Sequence, residues 1–231
     1  MRKKIVVLTG AGISAESGLK TFRDADGLWE GHDVMEVATP EGFYENPKLV
    51  LEFYNQRRRQ LLEVIPNKGH TNLVKLENDF NVEIITQNVD NLHEIAGSSN
   101  ITHLHGELLK VRSSLNEDLV LDWKKDLVLG DFAKDKSQLR PHIVWFGEMV
   151  PLLDKAIAIT KTADILIVIG TSMQVYPAAS LIQYIKANTP IYFIDPKPSI
   201  SEGQFNNLTI IKDVASSGTD KLLQLLYQYT I

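Results

Sequence analysis

Gly10-Ala11-Gly12-Ile13-Ser14-Ala15-Glu16-Ser17-Gly18-Leu19-Lys20-Thr21-Phe22-Arg23 is the stretch on which the reading of this chain turns. It follows a short apolar run, Lys4-Ile5-Val6-Val7-Leu8-Thr9, whose β-branched residues and length suit a buried strand. Gly10 and Gly12 permit a tight turn and let bare backbone approach a ligand. Ser14, Ser17 and Gly18 open what reads as a short helix, with amides directed at phosphate oxygens. Strand, glycine turn and helix start together describe a dinucleotide site. One part of the usual pattern is missing, an acidic residue ending a second strand about 20 residues on. Asp24 and Asp26 come too early, inside Arg-Asp-Ala-Asp-Gly. This is not the start of a standard dehydrogenase.

Working outward, Phe22 to Gly31 reads as a mobile polar loop, and the run from Pro47 reads as a helix with Asn46 as its N-cap. His70 to Glu77 is a second amphipathic helix, followed by a strand Val82–Thr86 and a short strand Ile101–His105. Between Glu107 and Leu139 the hydrophobic period is poor, which places a small inserted module at about 107–139; a helical insert is expected at about 32–68. Alternation resumes at Ile143–Phe146, then a helix Leu152–Thr162 and the apolar strand Asp164–Gly170, running into a second small-residue turn at Thr171-Ser172. A helix Ala178–Ala187, strands Ile191–Ile194 and Leu208–Ile211, and a helix Thr219–Tyr227 complete the chain. Strands alternating with helices imply an α/β fold, a Rossmann-like, doubly wound parallel sheet.

A chain of 231 residues, 44% hydrophobic and 23% charged, has the composition of an ordinary globular protein with one sizeable core. Its net charge of -5 argues against non-specific nucleic-acid binding. Arg57-Arg58-Arg59 is the only basic cluster of note and reads as a solvated helix face. There is no cysteine, which excludes disulfides and thiolate metal sites. Met1-Arg2-Lys3-Lys4 precedes an apolar run too short for a signal peptide, and Ile165–Ile169 is too short to cross a bilayer. The expectation is a cytoplasmic protein with no membrane partner.

Gln87, Asn88 and Asp90 stand together at a strand end, offering donors and acceptors suited to hydroxyls, or else a polar loop with a helix cap. His103 and His105 are two apart on a strand and share a face, as half of a metal site would. No carboxylate or third histidine lies near in sequence, so the expectation is no metal.

GAGISAESG with its following Phe-Arg resembles the opening motif of the sirtuins, the NAD-dependent protein lysine deacylases. Gln87-Asn88-Val89-Asp90, His105-Gly106, Arg140 to Glu148 (RPHIVWFGE) and Gly170 to Pro177 (GTSMQVYP) agree with the same family in order, over nearly the whole chain. The bacterial desuccinylase-like class is the nearest resemblance. It implies a single catalytic domain over 1–231, acylated-lysine proteins or peptides as partners, and NAD consumed as a co-substrate. By the same resemblance His105 is the general base, with Asn88 and Asp90 beside it. Gly10, Ala11, Gly12, Ser14, Phe22, Arg23, Gln87, Gly170, Thr171, Ser172, Asp195 and Ala215 would bind NAD together with them. Val144, Phe146, Gly147 and Glu148 would hold the peptide as an added strand, facing Met173 and Val175 across the cleft. Tyr54 and Arg57 would hold a succinyl or malonyl carboxylate, with Arg58 a bystander. His103 and Trp145 read as structural.

The resemblance also has gaps. Val111 to Ser114 and Ala133 to Lys136 stand where sirtuins usually carry zinc-binding cysteine pairs, so no zinc is expected. Leu19-Lys20 replaces the usual Ile-Pro, and Asp195 replaces an asparagine near the adenosine. A mono-ADP-ribosyltransferase and a non-catalytic NAD or acyl-lysine sensor are the competing functions.

Overall fold

Five of the six residues of Lys4–Thr9 are buried, which only the interior of a sheet covered on both faces provides. In the computed structural model, which describes residues 2–20, 28–29, 31–201 and 203–228, the strands are β1 (Lys4–Thr9), β2 (Leu28–Trp29), β3 (His32–Asp33), β4 (Asn81–Thr86), β5 (Ile101–His103), β6 (Gly106–Ser113), β7 (Val120–Asp122), β8 (Leu139–Ile143), β9 (Ile165–Ile169), β10 (Ile191–Ile194) and β11 (Leu208–Ile211). The helices are α1 (Val34–Val37), α2 (Pro40–Glu45), α3 (Pro47–Leu61), α4 (Lys68–Leu76), α5 (Leu92–Ala96), α6 (Leu153–Thr160) and α7 (Ala215–Gln228).

Six strands pair in the order β11-β10-β9-β1-β4-β5, all parallel. Alternate side chains of β1 divide between two cores, as the strand period requires. Ile5 and Val7 pack with Leu73, Leu76, Leu222 and Leu226 of α4 and α7. Val6 and Leu8 pack with Ala156 of α6 and with Leu181 on the other face. The chain runs from β1 to β4 and β5 on one side, then resumes at β9 on the other. Strand order therefore reverses between β1 and β9, the point in open α/β sheets where ligands bind beyond the carboxyl ends.

Several local expectations are corrected. The stretch after Gly10 opens no α-helix; it makes two successive 3-10 turns, Ala11–Ile13 and Ala15–Ser17. The amides of Ile13, Ser14, Ser17 and Gly18 close those turns on the carbonyls of Gly10, Ala11, Ser14 and Ala15, so they are not aimed at phosphate. Ala178–Tyr184 is likewise 3-10, and the last helix begins at Ala215 rather than Thr219. Asn46 caps α3 as expected, its Oδ1 accepting the Leu49 amide. The loop expected at Phe22 to Gly31 falls mostly outside the described residues.

The segment of poor periodicity is a three-stranded antiparallel sheet, β7-β6-β8, reaching from Gly106 to Ile143 and so somewhat beyond 107–139. Its buried positions include Arg112, Ser113 and Arg140, and β7 is three residues long, so no clean apolar alternation marks the sheet. Where thiolates would be expected, Ser113 Oγ donates to Asp135 Oδ2 at 2.6 Å and accepts the amides of Leu115 and Asn116. Ser137 Oγ lies 2.7 Å from Ser113 Oγ and donates to Asp135 Oδ1. Beside this polar knot Leu51, Val111, Leu127, Ala133 and Leu139 form a small apolar cluster. Ser113 is 1% exposed, but Asp135, Leu115 and Asn116 are exposed and can turn to water, so Ser113→Ala loses the bonds without burying an unmatched group and should cost about 0.5–1.5 kcal/mol, a few degrees in Tm at this size. Purified protein should carry no stoichiometric zinc, and a chelator should leave its Tm unchanged. Tight one-to-one zinc, or an unaltered Tm in Ser113→Ala, contradicts this account.

Candidate active site

The turns after β1, β4 and β9 meet at the reversal point and are stitched to one another. Gly12 donates its amide to the Gly170 carbonyl at 2.8 Å, and Gly10 donates to Ile169 at 3.0 Å. A Cβ on Gly12 would lie 2.6 Å from the Gly170 Cα, and Gly170 itself has φ +61°. These glycines let two turns touch backbone to backbone, a requirement distinct from the approach of a ligand. Asn88 Nδ2 donates to Ser14 Oγ at 3.2 Å, and Ser14 donates onward to Asp90 Oδ2 at 2.9 Å. Gln87 Nε2 donates to Thr171 Oγ1 at 3.1 Å. Burial raises the pKa of Asp90, while the Leu92 amide and Ser14 partly offset it. Gly10, Ala11, Ser14, Gln87, Asn88, Asp90, Gly170, Thr171 and Ser172 line one cleft, and His105 stands in the same wall.

His105 lies past the end of β5, in the turn to β6, so the two histidines do not share a strand as expected. Each nevertheless points Nδ1 at the loop after β4. His105 Nδ1 donates to the Gln87 carbonyl at 3.0 Å, which fixes the tautomer and leaves Nε2 as the acceptor. Burial lowers the pKa of His105, with the Gln87 bond a partial offset. A neutral imidazole in a ring of amide, hydroxyl and carboxylate groups can hold a polyol and take a proton from it. His103 is spent elsewhere, on Asn88 and Glu94. The expectation that no carboxylate lies near it is corrected: Glu107 stands four residues on in the chain, and Glu94 arrives through space from α5. Glu94 and Glu107 place oxygens with the His103 nitrogen inside 4.8 Å, and His105 is not among them.

The other end of the cleft is walled by α3. Tyr54 and Arg57 both line it. Arg57 is 9% exposed and stacks on the Phe53 ring, 3.3 Å from its centroid, with Nη1 donating to the Phe53 carbonyl. The Tyr54 hydroxyl accepts from Trp145 Nε1 at 2.9 Å, and burial raises its pKa. Arg58 departs from the sequence reading. It is 1% exposed and bonds the Leu108 carbonyl and Asn55 Oδ1, a fold anchor rather than a bystander. Only Arg59 has the solvated position expected of the cluster, paired with Glu52 and Asp126.

On the facing side β8 ends at Ile143, so Val144 to Glu148 is not a strand. The Val144 amide donates to the His105 carbonyl, and the Phe146 amide to Ala38. Val144, Phe146, Gly147 and Glu148 line the same cleft as Val175, whereas Met173 is half-buried and packs against the sheet core. Glu148 turns inward, accepting from Arg140 at 2.6 Å, from Arg112 at 3.2 Å and from the Trp145 amide at 2.8 Å. That carboxylate joins the antiparallel module to the cleft wall.

Asp195 and Ala215 lie at the ends of β10 and the start of α7, both buried and neither lining the cleft. Asp195 Oδ1 accepts the Lys197 amide. Phe22 and Arg23 lie outside the described residues. Sequence reasoning missed His70 and His93, both 0% exposed with rings 5.0 Å apart. His93 Nε2 lies 3.1 Å from Thr9 Oγ1, and His70 Nε2 lies 3.5 Å from Ser14 Oγ. Burial lowers the pKa of His70 to about 4. His70 stands among Lys68, Gly69, Thr71 and Asn72, and His93 beside Asn91 and Glu94, so neither is marked as interior by its local sequence.

The Sir2 family model matches residues 10–177. A Helicobacter pylori protein named NAD-dependent protein deacylase is 68% identical over 195 residues, 84% of this chain and 85% of that one. A solved Sir2 homolog–NAD complex is 37% identical with a TM-score of 0.86, covering 99% of this chain and 91% of that one. A Sir2 mutant solved with a p53 peptide and NAD is 27% identical with a TM-score of 0.79, covering 96% and 93%.

Proposed function

The chain belongs to the Sir2 family, and from that premise we infer that it is an NAD-dependent protein deacylase. Its substrates on this reading are lysine side chains carrying acetyl, succinyl or malonyl groups. The observation that carries the reading is His105, its tautomer set by the Gln87 carbonyl, in one cleft with Asn88, Asp90 and Ser14. NAD enters as a co-substrate, its ribose accepting the acyl group as nicotinamide leaves. With one water consumed, the products are free lysine, nicotinamide and 2'-O-acyl-ADP-ribose.

In this proposal His105 Nε2 takes a proton from a ribose hydroxyl, work suited to a neutral imidazole. Gln87, Asn88 and Asp90 hold the nicotinamide and ribose side. Gly10, Ala11, Ser14, Gly170, Thr171 and Ser172 surround the rest of the dinucleotide, and Gly12, packed against the Gly170 backbone, is assigned to it by family likeness. Phe22, Arg23, Asp195 and Ala215 are assigned to NAD by family likeness. Val144, Phe146, Gly147 and Val175 flank an extended peptide, and Tyr54 and Arg57 receive an acyl carboxylate.

Among the described residues no helix is long and apolar enough to cross a membrane. The proposal takes acylated proteins as partners, not nucleic acid or membrane, and sets the reaction in the cytoplasm. Intact-mass spectrometry of acetyl and succinyl peptides incubated with NAD tests it. Loss of the acyl mass is expected. Gain of ADP-ribose indicates a transferase, and an unchanged mass a binding protein.

A further inference from the structure

Three consecutive carbonyls of the loop after β4 are gripped from β5, from the turn that follows it and from β6. Gln87 O accepts from His105 Nδ1 at 3.0 Å, Asn88 O from His103 Nδ1 at 3.1 Å, and Val89 O from the Leu108 amide at 2.8 Å. The grip of His103 differs from the others in kind. Its second nitrogen, Nε2, lies 2.7 Å from Glu94 Oε1. Both partners of the ring are therefore acceptors, a backbone carbonyl and a carboxylate. A neutral imidazole has one N–H and one lone pair, so it satisfies one partner and repels the other. Only the doubly protonated ring satisfies both.

We propose that His103, held as an imidazolium between Glu94 and the Asn88 carbonyl, is a positioning residue for the deacylation reaction: it fixes the Asn88 backbone, and through it the Asn88 side chain, in the cleft. The inference rests on the deacylase reading above. Neither His103 nor Glu94 touches the reacting atoms; the effect passes through Asn88, whose Nδ2 reaches Ser14 Oγ in the cleft.

Charge around the ring agrees with the geometry. Burial works against the charged form, but the Glu94 contact, the Asn88 carbonyl and Glu107 outweigh it and raise the pKa of His103. Glu107 is itself paired with Lys110 at 2.8 Å. His93 of α5 and Asp90 of the loop also feel the His103 charge. His105, without a carboxylate partner, is shifted the other way. Two histidines two residues apart thus take opposite protonation states, one a clamp and the other a base, because their environments push them apart.

As pH rises through its raised pKa, His103 loses one proton and must give up one partner. A charged acceptor holds an N–H more strongly than a neutral one, so the ring keeps Glu94 and releases Asn88. Wild-type kcat/KM for NAD should fall on the alkaline side. In Glu94→Gln the amide can donate to Nε2, so the neutral Nδ1–H ring keeps Asn88 and that fall should shrink. In His103→Leu kcat/KM for NAD should drop about 10- to 100-fold at pH about 7, the loss a small misplacement near the chemistry produces, with KM for the acyl peptide little changed. The assay is acyl loss from a peptide with NAD, from pH about 6 to about 9.5. A Glu94→Gln profile that superimposes on wild type overturns the inference, as does His103→Leu with wild-type kcat/KM. If His103→Leu does not fold, the Glu94→Gln profile decides alone, since Glu94 is partly exposed. Wild type unable to deacylate at all brings down both readings; an active wild type with an unchanged Glu94→Gln profile brings down only this one.

Discussion

Replacing His105 with Ala should reduce deacylation by about 10²–10⁴-fold, the usual loss when a positioned base is removed. The imidazole is held by one bond to the Gln87 carbonyl and makes no ion pair among the described residues, so the fold should survive its removal. Tm and NAD binding measured on the same variant separate lost chemistry from lost structure. The pH profile adds a second check. Because burial lowers the pKa of His105 below the ordinary histidine value of about 6.5, the base form persists to lower pH than in a free imidazole. The acid limb of kcat/KM should therefore lie below that value and vanish from the residual rate of His105→Ala. A variant with near-native turnover removes His105 from the mechanism.

Arg57→Met should raise KM for a succinyl peptide about ten- to a hundredfold and leave an acetyl peptide nearly unaffected. The figure is that of a hydrogen bond to a charged group, roughly 1.5–3 kcal/mol. Arg57 is suited to this because its plane is already ordered. Phe53 stacks beneath it and the Phe53 carbonyl takes Nη1, so little rotamer freedom remains to be lost on binding. Tyr54, one turn back, lines the same cleft and carries a phenol held by Trp145. Arg58 cannot serve as the control that adjacency in sequence recommends. Its removal takes the Arg58 donor from the Leu108 carbonyl and leaves Asn55 Oδ1 with the Leu127 amide alone, so Tm should fall and activity on both substrates with it. Arg59→Met is the appropriate control, since that side chain is half-exposed and pairs with the surface carboxylates of Glu52 and Asp126. Equal losses on the two peptides for Arg57→Met defeat the assignment.

Read alone, the amino-acid sequence determined the parallel sheet, the three turns that meet at its carboxyl edge and the residues those turns carry. The reason is physical: β1, β9 and β10 are buried on both faces and must be apolar without interruption, and a chain leaving such strands into a crowded centre needs Gly10, Gly12 and Gly170. Such constraints are local, so they are visible in the residues themselves. What only the tertiary structure decided depends on partners distant in the chain. Arg57, Arg58 and Arg59 are consecutive and chemically identical; a helix turns each by about 100°, so one faces the cleft, one the interior and one the solvent. His103 and His105 look equivalent as well, until Glu94 from α5 arrives beside one and not the other. Ser113 and Asp135 show no pattern until β6 and the loop before β8 bring them within 2.6 Å. Burial and charge act through space, and a one-dimensional pattern carries neither until the chain has folded.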